Sequence, residues 1–292
     1  MALSALAPAK VNLFLHVGGP GADGYHPLCS LMAFADFGDR LTLHAADALE
    51  LKVTGPFAAA LEGGGENLVA RAANALLAEA RRPVAPFGLA LEKQLPVASG
   101  LGGGSSDAGA ALRLIREAAG LPIDDDRLEA IAGALGADGA ACLWGRPVLA
   151  EGRGERLSPA PAFPAADAVL VNPRVAVSTP AVYRRFDDLG RFGAVDPPAA
   201  PAVFETVVEL AAWLAAQRND LEAAAIAVEP QVRAVLDTLA GEPESLLARV
   251  SGSGGTCFAL CASDIEAEGL AERIEAIAPH WWVKRVRIGG PW

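Results

Sequence analysis

From Lys10 to Val17 side chains alternate about the chain: Val11, Leu13, Leu15 and Val17 fall on one face, Lys10, Asn12, Phe14 and His16 on the other. A period of two predicts a half-buried strand. Gly18-Gly19-Pro20-Gly21 breaks it, and Asp23-Gly24 marks a turn. Leu28–Ala35, Arg40–Ala45, Phe87–Lys93 and Val148–Glu151 read as further strands. Between them the period lengthens. Glu66–Arg82 carries Leu68, Ala72, Leu76 and Leu77 at helical spacing and is closed by Pro83. Ser105–Ala119 carries Ala108, Leu112 and Ile115 and runs into the stop signals Gly120 and Pro122. Asp124–Leu135 opens on acidic residues, with Asp126 and Glu129 spaced for a capping box.

The segment Ser158–Pro164 (SPAPAFP) is too rich in proline for regular structure. It predicts a division into domains at 1–158 and 159–292. Beyond it come a strand at Ala168–Val171 and a Pro/Gly/Asp-rich loop at Asp187–Pro201. Helices follow at Glu205–Gln217, Leu221–Val228 and Gln231–Ala240, then strands at Leu246–Val250 and Cys257–Cys261, a helix at Ile265–Ile277 and a strand at Trp282–Ile288. Strands and helices mix without strict alternation, so each half reads as α+β.

Composition narrows the function. Hydrophobic residues are 52% of the 292, enough to bury a sizeable core. A net charge of −11 excludes a nucleic-acid binder, which needs a basic face. It leaves room for one nucleotide, because a few cations and backbone amides suffice for a triphosphate. No run of 18 apolar residues predicts a membrane span, and Met1–Ala9 lacks the basic start of a signal peptide. Cys29, Cys142, Cys257 and Cys261 sit in apolar runs without metal-ligand spacing; buried free thiols and a cytoplasmic location are expected.

The chemistry concentrates in Pro96-Val97-Ala98-Ser99-Gly100-Leu101-Gly102-Gly103-Gly104-Ser105-Ser106-Asp107, between a strand and an amphipathic helix. Glycines let a backbone approach a ligand without Cβ obstruction, and the first helical turn offers free N–H groups and a positive dipole end. A phosphate suits such a loop better than a flexible linker does. No lysine follows the glycines as in G-x-x-x-x-G-K-[ST], and the third glycine of G-x-G-x-x-G is missing.

The stretch P-x-x-x-G-L-G-G-G-S-S-D resembles the phosphate loop of the GHMP kinases, the superfamily of galactokinase, homoserine kinase and mevalonate kinase. Ala7-Pro8-Ala9-Lys10-Val11-Asn12-Leu13 resembles its first motif, and Ser251-Gly252-Ser253-Gly254-Gly255-Thr256-Cys257-Phe258 its third. Ala22-Asp23-Gly24-Tyr25-His26, Glu66-Asn67-Leu68, Gly136-Ala137-Asp138 and Asn219-Asp220-Leu221-Glu222 are similar to the branch that phosphorylates a cytidine diphosphate alcohol in isoprenoid synthesis. The resemblance spans essentially the whole chain. It implies an N-terminal ATP-binding domain, a C-terminal ferredoxin-like α+β domain, and an active site in the cleft between them.

It also implies roles. Asp138 is expected as the base for the substrate hydroxyl, with Lys10 as its cationic partner. Asn12 shares a strand face with Lys10 and is expected at the substrate, with Thr179 near its phosphates. Tyr25 and His26, opposed by Tyr183, are expected at the nucleobase. For ATP the resemblance implies Asn67, Leu68, Lys93, Pro96 and the loop Gly100, Leu101, Gly102, Gly103, Gly104, Ser105 and Ser106. Mg²⁺ is expected with the nucleotide; no acidic pair has convincing ligand spacing. Read without the resemblance, Asp138 is a turn residue, Lys10 a solvated strand end and Tyr183 a core side chain. A kinase of another alcohol would have no use for the two tyrosines and His26 as a set, and a silent sensor none for Lys10, Asn12 and Asp138 together. Gly139-Ala140 departs from the family's usual Val-Pro after the base, which puts the rigidity of that loop in question.

Overall fold

This computed structural model describes residues 2–62, 65 and 67–292. Strands β1 (Leu3–Val17) and β2 (Leu28–Ala45) form a long antiparallel pair, with register shifts between Pro8 and Lys10 and between Asn12 and Phe14. The shifts bracket the two polar side chains of β1 that face the cleft, as irregularities in a ladder often do where a side chain must be re-aimed. The expectation of a half-buried strand fails: Lys10, Asn12 and His16 are as buried as Val11, Leu13 and Val17. Alternation separates the two faces of a strand but does not say whether one of them meets water.

Leu28–Ala35 and Arg40–Ala45, expected as two strands, are one. The polar gap between them is kept in the sheet by Gly38, where a Cβ would lie 2.0 Å from the Ala7 carbonyl oxygen, and by Asp39, which is fully buried. Next come β3 (Glu50–Thr54), a short 3-10 turn at Ala58–Leu61, helix α1 (Leu68–Ala78) and β4 (Phe87–Glu92). Glu66, expected to open α1, lies outside the described residues; Asn67 caps the helix by accepting the Val69 N–H. Helices α2 (Gly103–Ala119), α3 (Asp125–Leu135) and α4 (Gly139–Trp144) follow, then β5 (Val148–Gly152) and β6 (Arg156–Pro159). Asp124, rather than an Asp126–Glu129 box, caps α3 through the Arg127 N–H.

The second half runs β7 (Ala166–Asn172), α5 (Thr179–Leu189), α6 (Val207–Ala215), α7 (Glu222–Val228), α8 (Gln231–Gly241), β8 (Leu247–Val250), β9 (Cys257–Leu260), α9 (Asp264–Ile277) and β10 (Trp282–Gly289). Its four strands lie in the order β10-β7-β9-β8, the split βαβ arrangement of ferredoxin-like folds. The last strand joins the halves. β10 pairs antiparallel with β7 along its length and with β2 at Ile288↔Ala35 and Gly289↔Phe34, so one sheet runs β3-β4-β2-β10-β7-β9-β8. The proline-rich segment is therefore not wholly irregular: Ser158 and Pro159 end β6, paired with β5.

Helices α1, α2 and α3 cover β2 and β4 through Val69, Leu76, Leu112, Ile115 and Leu128, all fully buried. Each such side chain contributes about 1.5–3 kcal/mol relative to exposure, which fixes α2 firmly enough to hold its N-terminus in place. Leu15 and Val17 of β1 belong instead to the core of the second half, with Val169, Val250 and Cys257. Strand β1 is thus packed by both halves. All four cysteines are free and buried, and burial pushes the thiols of Cys29 and Cys261 up to about 11 and about 12. No helix among the described residues is long and apolar enough to cross a membrane.

Candidate active site

The glycine loop sits where three segments converge. Gly102 precedes α2 in the left-handed region (φ 63°), and its missing Cβ would lie 3.0 Å from the Lys10 side chain and 3.1 Å from Asp138 Oδ2. Gly100 (φ 79°) meets the third glycine-rich segment, where a Cβ would fall 2.2 Å from the Ser251 carbonyl oxygen. Lys10 N–H donates to the Leu101 carbonyl at 2.8 Å, Ser251 Oγ–H to the Gly100 carbonyl at 3.0 Å, and Thr256 N–H to the Ser99 carbonyl at 3.0 Å. Only glycine permits that crowding at both positions.

The third segment is held in turn by Asn219, whose Nδ2 donates to the Val250 and Gly252 carbonyls at 2.8 Å each. Asp220 accepts the Val17 N–H and Glu222 the Val250 N–H. The Asn-Asp-Leu-Glu motif is thereby explained as a staple between β1 and the third segment.

These segments line a cleft of about 710 Å³. Gly100, Gly102, Gly103, Gly104 and Ser105 face it, as do Lys10, Asn12 and Asp138. Asn67, Leu68, Lys93 and Pro96 line it on the side of α1 and β4, and Thr179 and Tyr183 on the side of α5. Leu101 and Ser106, expected at the nucleotide, are fully buried and do not line it; Leu101 packs into the core beneath the loop. Tyr25 and His26 also lie outside the lining. His26 Nδ1 is 2.8 Å from the Gly18 carbonyl and Nε2 is 3.2 Å from Asp187, so both ring nitrogens are engaged by the protein. Its ring packs 5.1 Å from that of Tyr183, whose phenol is pushed up to about 12 by burial. Tyr25 is exposed and faces Arg153 rather than Tyr183.

At the centre, Asp138 Oδ1 accepts from Ser105 Oγ–H at 2.6 Å, and Oδ2 lies 3.7 Å from Lys10 Nζ. The carboxylate keeps a quarter of its surface exposed toward the cleft, while the ammonium is buried. Lys10 Nζ donates to Asn12 Oδ1 at 2.6 Å, Asn12 Nδ2 to Ser30 Oγ at 2.8 Å, and Ser30 Oγ–H to the Phe14 carbonyl at 2.6 Å. This chain of donors anchors the lysine to β1 and β2. Asp138 stands at the N-terminus of α4, not in an open turn. Gly139 is needed there: a Cβ would lie 2.0 Å from the Ala132 carbonyl oxygen, so α3 and α4 approach too closely for valine. The departure from Val-Pro leaves the backbone fixed, by helix packing rather than by a proline ring.

Beneath the loop lies a second charged group. Lys93 Nζ, at the end of β4, contacts Asp39 and lies 2.8 Å from Asp107 Oδ2 on α2. Asp39 Oδ1 also accepts the Gln94 and Leu95 N–H groups. Burial and the Asp39 carboxylate push Asp107 up to about 8 against the pull of Lys93. Sequence reading missed Asp39 and Asp107, and also Arg153, Ser253 and the apolar wall of Leu15, Leu28 and Met32. Ser253 was within reach, because its motif was recognised; Thr179 Oγ1 lies 2.7 Å from its hydroxyl.

Comparison with known proteins identifies the family. The GHMP kinases N terminal domain model matches residues 67–146, and the GHMP kinases C terminal model matches residues 199–280. The chain is 63% identical over 292 residues to 4-diphosphocytidyl-2-C-methyl-D-erythritol kinase of Caulobacter sp. (strain K31), covering 100% of both chains. It is 61% identical over 290 residues to the enzyme of that name from Caulobacter vibrioides (strain NA1000 / CB15N), covering 99% of this chain and 100% of that one. A crystal structure of 4-(cytidine 5'-diphospho)-2C-methyl-D-erythritol kinase superposes with a TM-score of 0.79 at 34% identity, covering 99% of this chain and 100% of that one.

Proposed function

The chain belongs to the 4-diphosphocytidyl-2-C-methyl-D-erythritol kinases of the GHMP family, and from that membership we propose how its cleft carries out the reaction. It is an ATP-dependent kinase of isoprenoid biosynthesis. The reaction forms a bond from the substrate's 2-oxygen to the γ-phosphorus and breaks the bond from that phosphorus to the bridging oxygen of ADP. The hydroxyl proton goes to Asp138.

Asp138 Oδ2 is the atom that takes it. Oδ1 is occupied by Ser105 Oγ–H, which fixes the carboxylate plane, and Oδ2 lies 3.7 Å from Lys10 Nζ in a residue that lines the cleft. Lys10, held by Asn12, stabilises charge spreading over the phosphoryl oxygens. The loop amides and the N-terminus of α2 bind the triphosphate; the loop fits it, since Gly100, Gly102, Gly103 and Gly104 present the cleft with backbone and no side chain. Asn67 and Leu68 lie on the adenine side, and Thr179, Tyr183, Tyr25 and His26 on the cytidyl side. The boundary between the N-terminal ATP-binding domain and the C-terminal domain is put at 158/159. Among the described residues no cluster of three His, Cys, Asp or Glu side chains is arranged for a metal. Mg²⁺ comes with the nucleotide, whose oxygens and water supply most of its ligands.

The observation that carries this reading is the approach of Lys10 and Asp138 to Gly102, which sets base and cation at the phosphate loop. ADP release tests it, with 4-diphosphocytidyl-2-C-methyl-D-erythritol compared with mevalonate, homoserine and galactose. Turnover confined to the cytidyl alcohol is expected; turnover on one of the others would keep the kinase and remove the nucleobase pocket.

A further inference from the structure

Three cations line the cleft among the described residues, and two of them are committed. Lys10 is tied to Asn12 and Asp138, and Lys93 is buried between Asp39 and Asp107. The third, Arg153, has a side chain about half exposed. It stands at the tip of the β5–β6 hairpin, where its N–H donates to the Glu155 carboxylate at 2.6 Å. The next residue, Gly154, backs onto the loop of the base: a Cβ there would lie 2.7 Å from the Ala137 carbonyl oxygen. In the other direction the guanidinium lies 4.1 Å over the Tyr25 ring and pairs with the Asp23 carboxylate. Arg153 therefore spans the distance between the aromatic loop and the residue next to Asp138.

We propose that Arg153 is a specificity-determining residue that binds the diphosphate of the cytidyl substrate, exchanging its Asp23 partner for the phosphate oxygens. The inference rests on the substrate reading above. A substrate with its base near Tyr25 and its hydroxyl at Asp138 must lay the linking diphosphate along the hairpin tip. A planar guanidinium matches two phosphate oxygens at once. Stacking on Tyr25 holds that plane in place before the ligand arrives and leaves the second face of the ring to a base. Asp23 is exposed, so giving up its ion pair costs little.

The test is calorimetric binding of CDP and of cytidine to the wild type and to Arg153→Ala and Arg153→Lys, with ATP affinity as a control. Arg153→Ala is expected to weaken CDP about tenfold while changing cytidine and ATP much less, and Arg153→Lys to recover part of the loss. Unchanged CDP affinity in Arg153→Ala would overturn the proposal. So would equal weakening of CDP and cytidine, which would make Arg153 only a prop for Tyr25. Wild-type protein that binds ATP but neither CDP nor cytidine would instead overturn the substrate reading, and this inference with it.

Discussion

Replacing Lys93 by methionine removes the ammonium from between two buried carboxylates. Asp39 is fully buried and would keep only the Gln94 and Leu95 N–H groups; Asp107 is almost as buried, and its Oδ1 already has no hydrogen-bond partner. Removing one partner of a buried ion pair costs about 3–5 kcal/mol. Unfolding entropy of about 2.1 cal/mol/K per residue, over 292 residues, puts roughly 0.6 kcal/mol behind each degree of melting temperature. Lys93→Met should therefore melt about 5–8 °C lower. Asp107→Asn should differ sharply. Asp107, pushed up to about 8, is mostly protonated at pH 7, and asparagine preserves its shape and neutrality. Wild type must take up a proton at Asp107 to fold at pH 7, whereas asparagine need not, so Asp107→Asn should melt no lower than the wild type. Calorimetric melts of the three proteins at pH 7 decide the matter. If Asp107→Asn melted as low as Lys93→Met, the group would carry two ionised carboxylates and the charge reasoning would fail.

The same group makes stability depend on pH. The folded Asp107 titrates above its unfolded value of 3.8, so its contribution is whole below that pH and is lost as pH rises through about 8. The melting-temperature difference between wild type and Asp107→Asn should fall steadily from pH 5 to pH 8.5; a constant difference would contradict the raised titration. Gly139→Val, the family's usual residue, should cost about 1–3 kcal/mol here by overpacking α3 against α4, and kcat should fall with it because α4 carries Asp138. An unchanged melting temperature would mean that the two helices are further apart than the Ala132 contact requires.

What was legible in the chain was what short-range chemistry encodes. The glycine loop and the stop at Gly120, where φ is 55°, announce themselves through residue types at fixed offsets, whereas the Asn-Asp-Leu-Glu run entered only through the resemblance and its stapling role only through the structure. Lys10 and Asn12 were placed on one strand face by alternation alone. The misses depend on distant partners. Asp39 fell in the gap between two expected strands, and nothing nearby in sequence shows that Lys93 will pair with it. Helix α4 opens on a glycine whose reason is the carbonyl of Ala132 on another helix. Arg153 lies between two glycines and carries no periodic signal; its importance rests on Tyr25, more than a hundred residues earlier. The relation of Tyr25 to Tyr183 was expected as two opposed rings, whereas His26 stands against Tyr183 and Arg153 against Tyr25.

The central claim is that Asp138, held by Ser105 and faced by Lys10, accepts the substrate proton. It is tested most directly by Asp138→Asn, with binding of ATP and of the cytidyl alcohol measured by calorimetry and turnover by ADP release. Both affinities should stay close to wild type while kcat falls by about 100-fold or more. Wild-type turnover in that variant would contradict the account and take the base role away from Asp138.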